Sequence, residues 1–94
     1  MERPLIFSGH AILRMAQRRI ATLDVRHVLV HGEEIESYPN DTPYPSRLVL
    51  GFVAHRPLHV VAANNPSTNE TIVISLYEPD PNQWDSTLRR RKRP

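Results

Sequence analysis

Polar and apolar residues near the start of the chain repeat with the period of an α-helix. Spacings of i, i+4, i+7 and i+8 place four polar side chains on one helix face: His10, Arg14, Gln17 and Arg18. On the opposite side, which we expect to be buried, lie Ile12, Met15, Ala16 and Ile20. The pattern therefore predicts an amphipathic helix whose exposed face is cationic.

The first helix is expected to run from about Ser8 to Arg18. Ser8 is a favourable N-cap, and Phe7 just before it is placed to pack on Ile12 as a hydrophobic staple. Arg19 would point into the apolar side if the helix continued. We therefore expect the helix to stop at Arg18 and Arg19 to begin the turn, with a strain of about 1 kcal/mol if its φ is positive.

A second helix is predicted from Thr22 or Leu23 to His31. Thr22 is the expected cap, Asp24 lies in the first turn, and Gly32 is a natural stop after the last turn.

After Gly32 the pattern changes from helices to strands. Glu33 to Tyr38 predicts an edge strand, and a proline-rich loop follows it. Three further strands are predicted, joined by links short enough for hairpins: Arg47–Ala54, Leu58–Asn64 and Thr71–Tyr77. The expected fold is α+β, with two N-terminal helices packed on a three- to four-stranded antiparallel sheet.

The register of the last hairpin decides which side chains share a face of the sheet. If Asn64 pairs with Glu70, His59 lies opposite Ser75, and Tyr77 is diagonal to it on the same face. The other face is almost wholly apolar and is the expected floor for the helices: Val60, Ala62, Ile72, Ile74 and Leu76. We expect Trp84 to dock the irregular C-terminal segment onto this body.

Charge and composition add a second feature, a basic C-terminus on an acidic body. Residues 1–88 hold seven arginines and ten acidic residues, a net charge of −3, whereas residues 89–93 add +5. We expect a single domain over residues 1–88 and a basic tail over 89–94, which either binds polyanions or is simply solvated. The chain has no cysteine, no apolar run long enough to span a membrane and no visible secretory signal, so we expect a cytoplasmic protein.

Several motifs, taken in order, resemble one bacterial family. They are His-Ala-x-x-Arg-Met-x-x-Arg-x-Ile from His10, then Asp24-Val25, Gly32-Glu33, Pro45 to Leu50, Pro57 to Val61, Tyr77 to Pro81, Trp84 and the final Arg-Arg-Lys. Together they resemble the domain-of-unknown-function family forty-two fifty-eight over about residues 8 to 92. Members often carry Gly where this chain has Arg19, in agreement with the turn predicted there.

This resemblance implies a function. The family is similar in outline to the small RelE-like and MqsR-like ribonuclease toxins, and its members are often encoded beside an antitoxin. The resemblance therefore implies a toxin that cleaves RNA without a metal or other cofactor and is neutralised by a cognate antitoxin protein. The matching positions that could carry function are His10, Arg14, Arg18, Arg47, His59 and Tyr77.

Metal-free RNA cleavage needs a base for the ribose 2′-hydroxyl, an acid for the leaving 5′-oxygen, and cations for the phosphorane-like transition state. His10 and His59 are the predicted acid–base pair, provided that the two imidazoles converge on one nucleotide linkage. Tyr77 would stack on a base or bind the phosphate. The predicted phosphate and RNA ligands are Arg14, Arg18, Arg47, Arg89, Arg90 and Arg91.

Two alternatives remain open at this level. His27 and His31 have the i, i+4 spacing of a metal pair, followed by Glu33 or Glu34, although no third strong ligand is fixed by spacing. The stronger alternative is a non-catalytic module that binds protein or nucleic acid, for instance by strand addition along the predicted edge strand. The sequence leaves the oligomeric state open.

Overall fold

The chain folds into two helices and five strands, an α+β arrangement. A computed structural model describes residues 3–93, and Met1, Glu2 and Pro94 lie outside the described residues. The elements in chain order are β1 (Leu5–Phe7), α1 (Gly9–Arg18), α2 (Thr22–His31), β2 (Glu33–Tyr38), β3 (Ser46–Val53), β4 (Arg56–Asn65) and β5 (Glu70–Tyr77). Both helices and all four predicted strands lie within two residues of their expected bounds.

The sheet is mixed, with strand order β1-β5-β4-β3-β2. Strands β2 to β5 are antiparallel neighbours, and β2 is an edge strand as predicted. The expectation of three to four antiparallel strands is wrong in one respect, because β1 adds a fifth strand that runs parallel to β5 from Leu5 opposite Thr71. A strand of three residues is too short to show a two-residue period in the sequence.

Helix α1 begins and ends as predicted. The Ser8 hydroxyl accepts a hydrogen bond from the Ala11 amide at 3.0 Å and donates one to the Ile74 carbonyl at 2.7 Å. It therefore caps the helix and ties it to β5. Arg19 follows with φ 54° and ψ 52°, the left-handed conformation expected at the turn, which costs a non-glycine residue roughly 1–2 kcal/mol.

The buried side of α1 differs from the predicted one. Ala11 is fully buried and Met15 packs against the core, whereas Ile12 is 57% exposed and Ala16 is also exposed. The helix is rotated so that the small Ala11 side chain lies in the core beside β5. The expected staple between Phe7 and Ile12 is therefore wrong, because Phe7 packs on the core while Ile12 points away from it.

The N-cap of helix α2 is Ala21, one residue before the predicted cap Thr22. The Asp24 carboxylate accepts a hydrogen bond from the Ala21 amide at 2.9 Å. Thr22 is the first helical residue and does not cap the helix. Gly32 ends α2, as expected, but its φ of −80° shows that it is not there for a left-handed turn. A Cβ at this position would collide with the Val28 carbonyl oxygen and lie 2.6 Å from the Leu50 carbonyl oxygen.

Both helices pack on one face of the sheet, which we call the helix face (Val49, Val60 and Leu76). These side chains form the main core with residues from the helices and from the strands: Ala11, Ile20, Val25, Val28, Leu58 and Val73. Gly51 lets α2 approach closely, since a Cβ there would lie 2.9 Å from both γ carbons of Val28. Neither helix in residues 3–93 is long and apolar enough to cross a bilayer.

A β-bulge changes the predicted register of the last hairpin. His59 pairs with Tyr77 and Val61 with Ser75, but the next pair is Ala62 with Val73. The predicted pairing of His59 with Ser75 is therefore wrong by two residues. Because Ile74 is the extra residue, Val73 and not Ile74 reaches the helix-face core.

The opposite face of the sheet is called the C-terminal face (Leu48, His59 and Tyr77), because the last part of the chain lies on it. Residues 78–93, the C-terminal segment, follow β5 and cross this face without regular secondary structure. Trp84 is 2% exposed, which confirms that it docks the segment onto the sheet.

Candidate functional site

His59 lies at the centre of the C-terminal face and is fully buried, with 0% exposure. Its Nε2 lies 2.8 Å from the Leu88 carbonyl oxygen, and its Nδ1 lies 3.3 Å from the Tyr77 hydroxyl. A carbonyl can only accept, so Nε2 carries the proton and donates to it. Burial favours the neutral imidazole, in which Nδ1 accepts a hydrogen bond from the Tyr77 hydroxyl.

Aromatic rings close over this histidine. The Trp84 ring meets the His59 ring edge-on at 4.4 Å between centroids, and the Tyr77 ring lies at 5.2 Å. The Arg91 guanidinium carbon lies 4.6 Å from the Trp84 ring centroid, a cation–π contact. The C-terminal segment thus covers His59 completely.

A carboxylate, a phenol and a guanidinium meet beside this cover. Glu36 and Tyr38 extend from β2 toward the C-terminal face, because Glu36 pairs with Leu48 and Tyr38 with Ser46. The Tyr38 hydroxyl donates to one Glu36 oxygen, and Arg91 Nε lies 3.5 Å from the other. Glu36 and Arg91 also act electrostatically on both His59 and Tyr77. We call these five residues, Glu36, Tyr38, His59, Tyr77 and Arg91, the tyrosine–arginine cluster.

An open groove of about 570 Å³ adjoins the tyrosine–arginine cluster at Tyr38. Val61 and Ser46 lie in it on the sheet, and the Ser46 hydroxyl donates to Asp41 at 2.6 Å. The volume falls within the roughly 300–1,000 Å³ of sites for small organic ligands. The groove can therefore admit one nucleotide unit next to Tyr38.

Burial sets the protonation of this cluster. It raises the pKa of Tyr38 to about 12, with the hydrogen bond to Glu36 acting in the same direction. Burial also raises the pKa of Tyr77. It lowers the pKa of His59, against the opposing effect of the hydrogen bond to the Leu88 carbonyl. At neutral pH the two phenols are protonated donors and His59 is uncharged.

The predicted cationic face of α1 lies on the helix-face side of the sheet, opposite the tyrosine–arginine cluster. His10, Gln17 and Arg18 are exposed and Arg14 is partly buried. Near the end of α1, Arg56 donates to the Arg18 and Arg19 carbonyl oxygens and pairs with Glu78 at 3.0 Å. This pairing with Arg56 lowers the pKa of Glu78.

The structure does not bring His10 and His59 together. Helix α1 packs on the helix face through Ala11, whereas His59 points to the C-terminal face, since its neighbour Val60 is in the helix-face core. The expected convergence of the two imidazoles on one linkage is therefore wrong. The physical reason is the two-residue period of β4, which sends adjacent side chains to opposite faces.

The remaining predicted RNA ligands fall into two places. Arg47 lies on the helix-face side, where its Nη1 is 3.5 Å from the Asn64 side-chain oxygen. Two tail arginines lie along β2, with Arg89 Nε 3.0 Å from Glu33 and Arg91 bound to Glu36. Arg90 is exposed. Of the predicted site residues, the structure therefore groups only His59, Tyr77 and Arg91.

Two members of the cluster, Glu36 and Tyr38, were not predicted as site residues. The sequence does hold a signal for them, because both have the parity of one face of a predicted edge strand. Their meeting with Tyr77 depends on the pairing of β2 with β3, which contains its own register shift between Glu34 and Glu36. No local pattern encodes that shift.

The histidine pair on α2 is close in space, with the ring centroids of His27 and His31 4.8 Å apart. Within residues 3–93, no group of three or more His, Cys, Asp or Glu side chains is arranged to hold a metal ion.

Comparison with known proteins identifies the family to which this chain belongs. The family model described as Domain of unknown function (DUF4258) matches residues 7–78, well over half of the chain. No curated protein and no solved structure matches the chain. The matched range includes four of the five cluster residues and all of α1 to β5. The chain belongs to the family Domain of unknown function (DUF4258).

Proposed function

We propose that this chain is the toxin of a toxin–antitoxin pair and cleaves RNA without a metal ion. The observation that carries the proposal is the Glu36 carboxylate held between the Tyr38 hydroxyl and the Arg91 guanidinium beside an open groove. These are the three kinds of group that a metal-free phosphodiester cleavage needs. The resemblance to RelE-like toxins, read from the sequence, supports the same reaction.

The chemistry assigns one role to each group. Glu36 takes the proton of the ribose 2′-hydroxyl, and the 2′-oxygen attacks the adjacent phosphorus. The bond from phosphorus to the 5′-oxygen breaks, and Tyr38, protonated because its pKa is raised, supplies a proton to that oxygen. Arg91 stabilises the added negative charge on the phosphoryl oxygens. The products are a 2′,3′-cyclic phosphate and a 5′-hydroxyl.

His59 takes a different role from the one expected from the sequence. With 0% exposure it cannot touch a substrate, so it acts as a positioning residue. Its Nδ1 accepts a hydrogen bond from the Tyr77 hydroxyl, and its Nε2 donates one to the Leu88 carbonyl oxygen. The bond to Leu88 fixes the C-terminal segment that carries Arg91. His10, Arg14 and Arg18 on α1 stay candidates for contact with a longer RNA backbone.

The test is cleavage of a labelled single-stranded RNA by purified protein in the presence of a chelator. Glu36→Gln should lower the rate about 10²–10⁴-fold, the usual contribution of a general base. Glu34→Gln is the matched control, because Glu34 lies on the same strand but pairs with Val49 on the helix face. Its rate should equal that of the wild type.

Two results would contradict the proposal. One is full activity of Glu36→Gln, and the other is cleavage of a substrate whose 2′-hydroxyl is replaced by hydrogen. In cells, expression of the wild type should arrest growth, expression of Glu36→Gln should not, and an antitoxin encoded by the adjacent gene should restore growth. Harmless expression of the wild type would count against a toxin.

The second candidate function is a module that binds nucleic acid without cleaving it. It is favoured by one specific observation, the complete cover of His59 by Trp84 and the C-terminal segment. The two functions differ in one measurement. A binding module retains RNA in a mobility-shift assay and returns it uncut, with equal affinity for RNA and for its 2′-deoxy counterpart.

A further inference from the structure

Three arginines line a separate cleft on the helix-face side of the molecule. Arg3 precedes β1, Arg26 lies on α2 and Arg47 lies on β3, and they border a cleft of about 170 Å³. Asn64 at the end of β4 and Thr71 at the start of β5 also line it. The cleft thus sits where the ends of several strands meet α2. It is on the other side of the sheet from the tyrosine–arginine cluster.

The polar groups of the cleft are held in place by bonds among themselves. The buried Thr71 hydroxyl donates to the Asn64 side-chain oxygen at 3.0 Å, and Arg47 Nη1 approaches the same oxygen at 3.5 Å. Arg26 Nη1 donates to the Arg3 carbonyl oxygen at 3.0 Å. These bonds fix the Asn64 amide and hold Arg26 beside the N-terminal strand. Hydrogen bonds therefore hold the polar side chains of the cleft in defined positions.

Charge and size decide what the cleft can hold. Three guanidinium groups share its border, and none of the described lining residues is acidic. Arg3 and Arg47 form no ion pair within residues 3–93. The charges of Arg3 and Arg47 repel one another across this small cleft, and an anion between them removes that repulsion. The volume is below the roughly 300 Å³ at which sites for small organic ligands begin, so a single anionic group fits better than a whole cofactor.

We propose that this cleft binds a phosphoryl group, clamped by Arg47 and Arg3 with Arg26 beside them. Guanidinium groups suit this ligand because their planar pairs of N–H groups match two phosphoryl oxygens. The phosphoryl group belongs either to a nucleotide monophosphate or to the backbone of an RNA strand. The inference does not rest on cleavage at Glu36, since the two sites lie on opposite faces of the sheet.

The experiment uses the full chain and two probes. Adenosine 5′-monophosphate and a short single-stranded 2′-O-methyl RNA without terminal phosphates, which the proposed reaction cannot cut, are titrated separately, and binding is followed by the amide resonances of Asn64 and Thr71. Shifts with the monophosphate identify a nucleotide site, and shifts with the RNA alone identify a backbone site. Absence of shifts with both probes overturns the proposal.

Substitutions make the test specific. Arg47→Gln and Arg3→Gln should each weaken binding of the active probe about tenfold, the loss expected for one charge-assisted contact. Arg93→Gln removes the same charge from the exposed end of the chain and should leave binding unchanged. Equal weakening by Arg93→Gln would show that the probe reads overall charge, and the site would then be rejected. Arg3 is exposed and precedes the first strand, so Arg3→Gln should change the charge of the cleft without disturbing the packing of the core.

Salt dependence and a cross-check separate this site from the proposed function. If the ligand is an RNA backbone, Arg47→Gln should reduce the slope of log affinity against log salt by about 0.7 for each lost phosphate contact. Glu36→Gln should leave both probes bound at this cleft with wild-type affinity. Failure of cleavage with intact binding refutes the proposed function alone, and failure of binding with intact cleavage refutes the cleft alone.

Discussion

At the residue scale, His59 carries the sharpest physical constraint in the molecule. A fully buried imidazole is tolerated because both ring nitrogens are hydrogen bonded, one to the Leu88 carbonyl and one to the Tyr77 hydroxyl. Burial favours the neutral form, because the charged imidazole would lose its hydration in this enclosed position. The residue therefore couples the stability of the fold to pH.

The sign of that coupling follows from the lowered pKa of His59. In the unfolded chain a histidine titrates at about pH 6.5, above its pKa in the fold, so the unfolded state binds more protons as pH falls. The contribution of neutral His59 to the free energy of unfolding is therefore fully present above about pH 6.5. It is lost as pH falls from that value toward the pKa in the fold, at no more than about 1.4 kcal/mol per pH unit.

Urea unfolding at about pH 5 and about pH 7.5 measures this loss. His59→Gln should show a smaller decrease in the free energy of unfolding between the two pH values than the wild type. His55→Gln, in the exposed turn between β3 and β4, should keep the wild-type decrease. An identical pH dependence in His59→Gln and the wild type would show that His59 does not titrate on unfolding.

At the element scale, the contact between α2 and β3 depends on two glycines, Gly32 and Gly51, and α1 offers a glycine for comparison. Gly51 lies under Val28 with no room for a methyl group, whereas a Cβ added to Gly9 in the first turn of α1 would meet no atom within 4 Å. The same substitution should therefore have opposite effects at Gly51 and Gly9.

Gly51→Ala should destabilise the protein by about 1–3 kcal/mol, because α2 must move away from the sheet to accept the methyl group. Gly9→Ala should leave stability unchanged or raise it by up to about 1 kcal/mol, since alanine favours the helix. Thermal and urea unfolding of both variants measure the difference. Equal effects at the two positions would contradict the close approach of α2 to Gly51.

Most elements could be predicted from the sequence because their signals are local. The Ser8 cap, the stop at Arg18 and the Val-rich strands each depend on a few neighbouring residues. The rotation of α1 that exposes Ile12, the parallel strand β1 and the bulge at Ile74 depend on contacts between distant parts of the chain. The prediction that His59 and Tyr77 share a face held because the register error was two residues, which leaves each side chain on the same face. Glu36 and Tyr38 were missed because they come from another strand, whose register shift has no local signal.

At the scale of the whole molecule, the C-terminal segment forms the second layer on the sheet. Leu48 and His59 are fully buried because Trp84 and its neighbours lie over the face from which they extend. Arg89 and Arg91 then pair with Glu33 and Glu36 on the edge strand. Part of the basic tail is therefore bound to the acidic body.

Removal of the Trp84 ring should loosen this layer. Trp84→Ala should lower the free energy of unfolding by about 3–5 kcal/mol, the cost of deleting a large buried aromatic side chain. It should also expose the apolar C-terminal face, detected as increased binding of an apolar fluorescent dye. Gln83→Ala, next to it and exposed, should do neither. Wild-type dye binding in Trp84→Ala would contradict the covering role of the segment.

The pairing of β1 with β5 has a consequence for how the chain is made. Leu5 is aligned with Thr71, and the cap of α1 is bonded to Ile74, so these N-terminal partners are synthesised 66 residues before the residues that they contact. Contacts so distant in sequence slow folding, because a long loop must close before they form. The sheet should therefore stay incomplete during synthesis until β5 has emerged, and any activity that depends on the assembled sheet should begin only after that point.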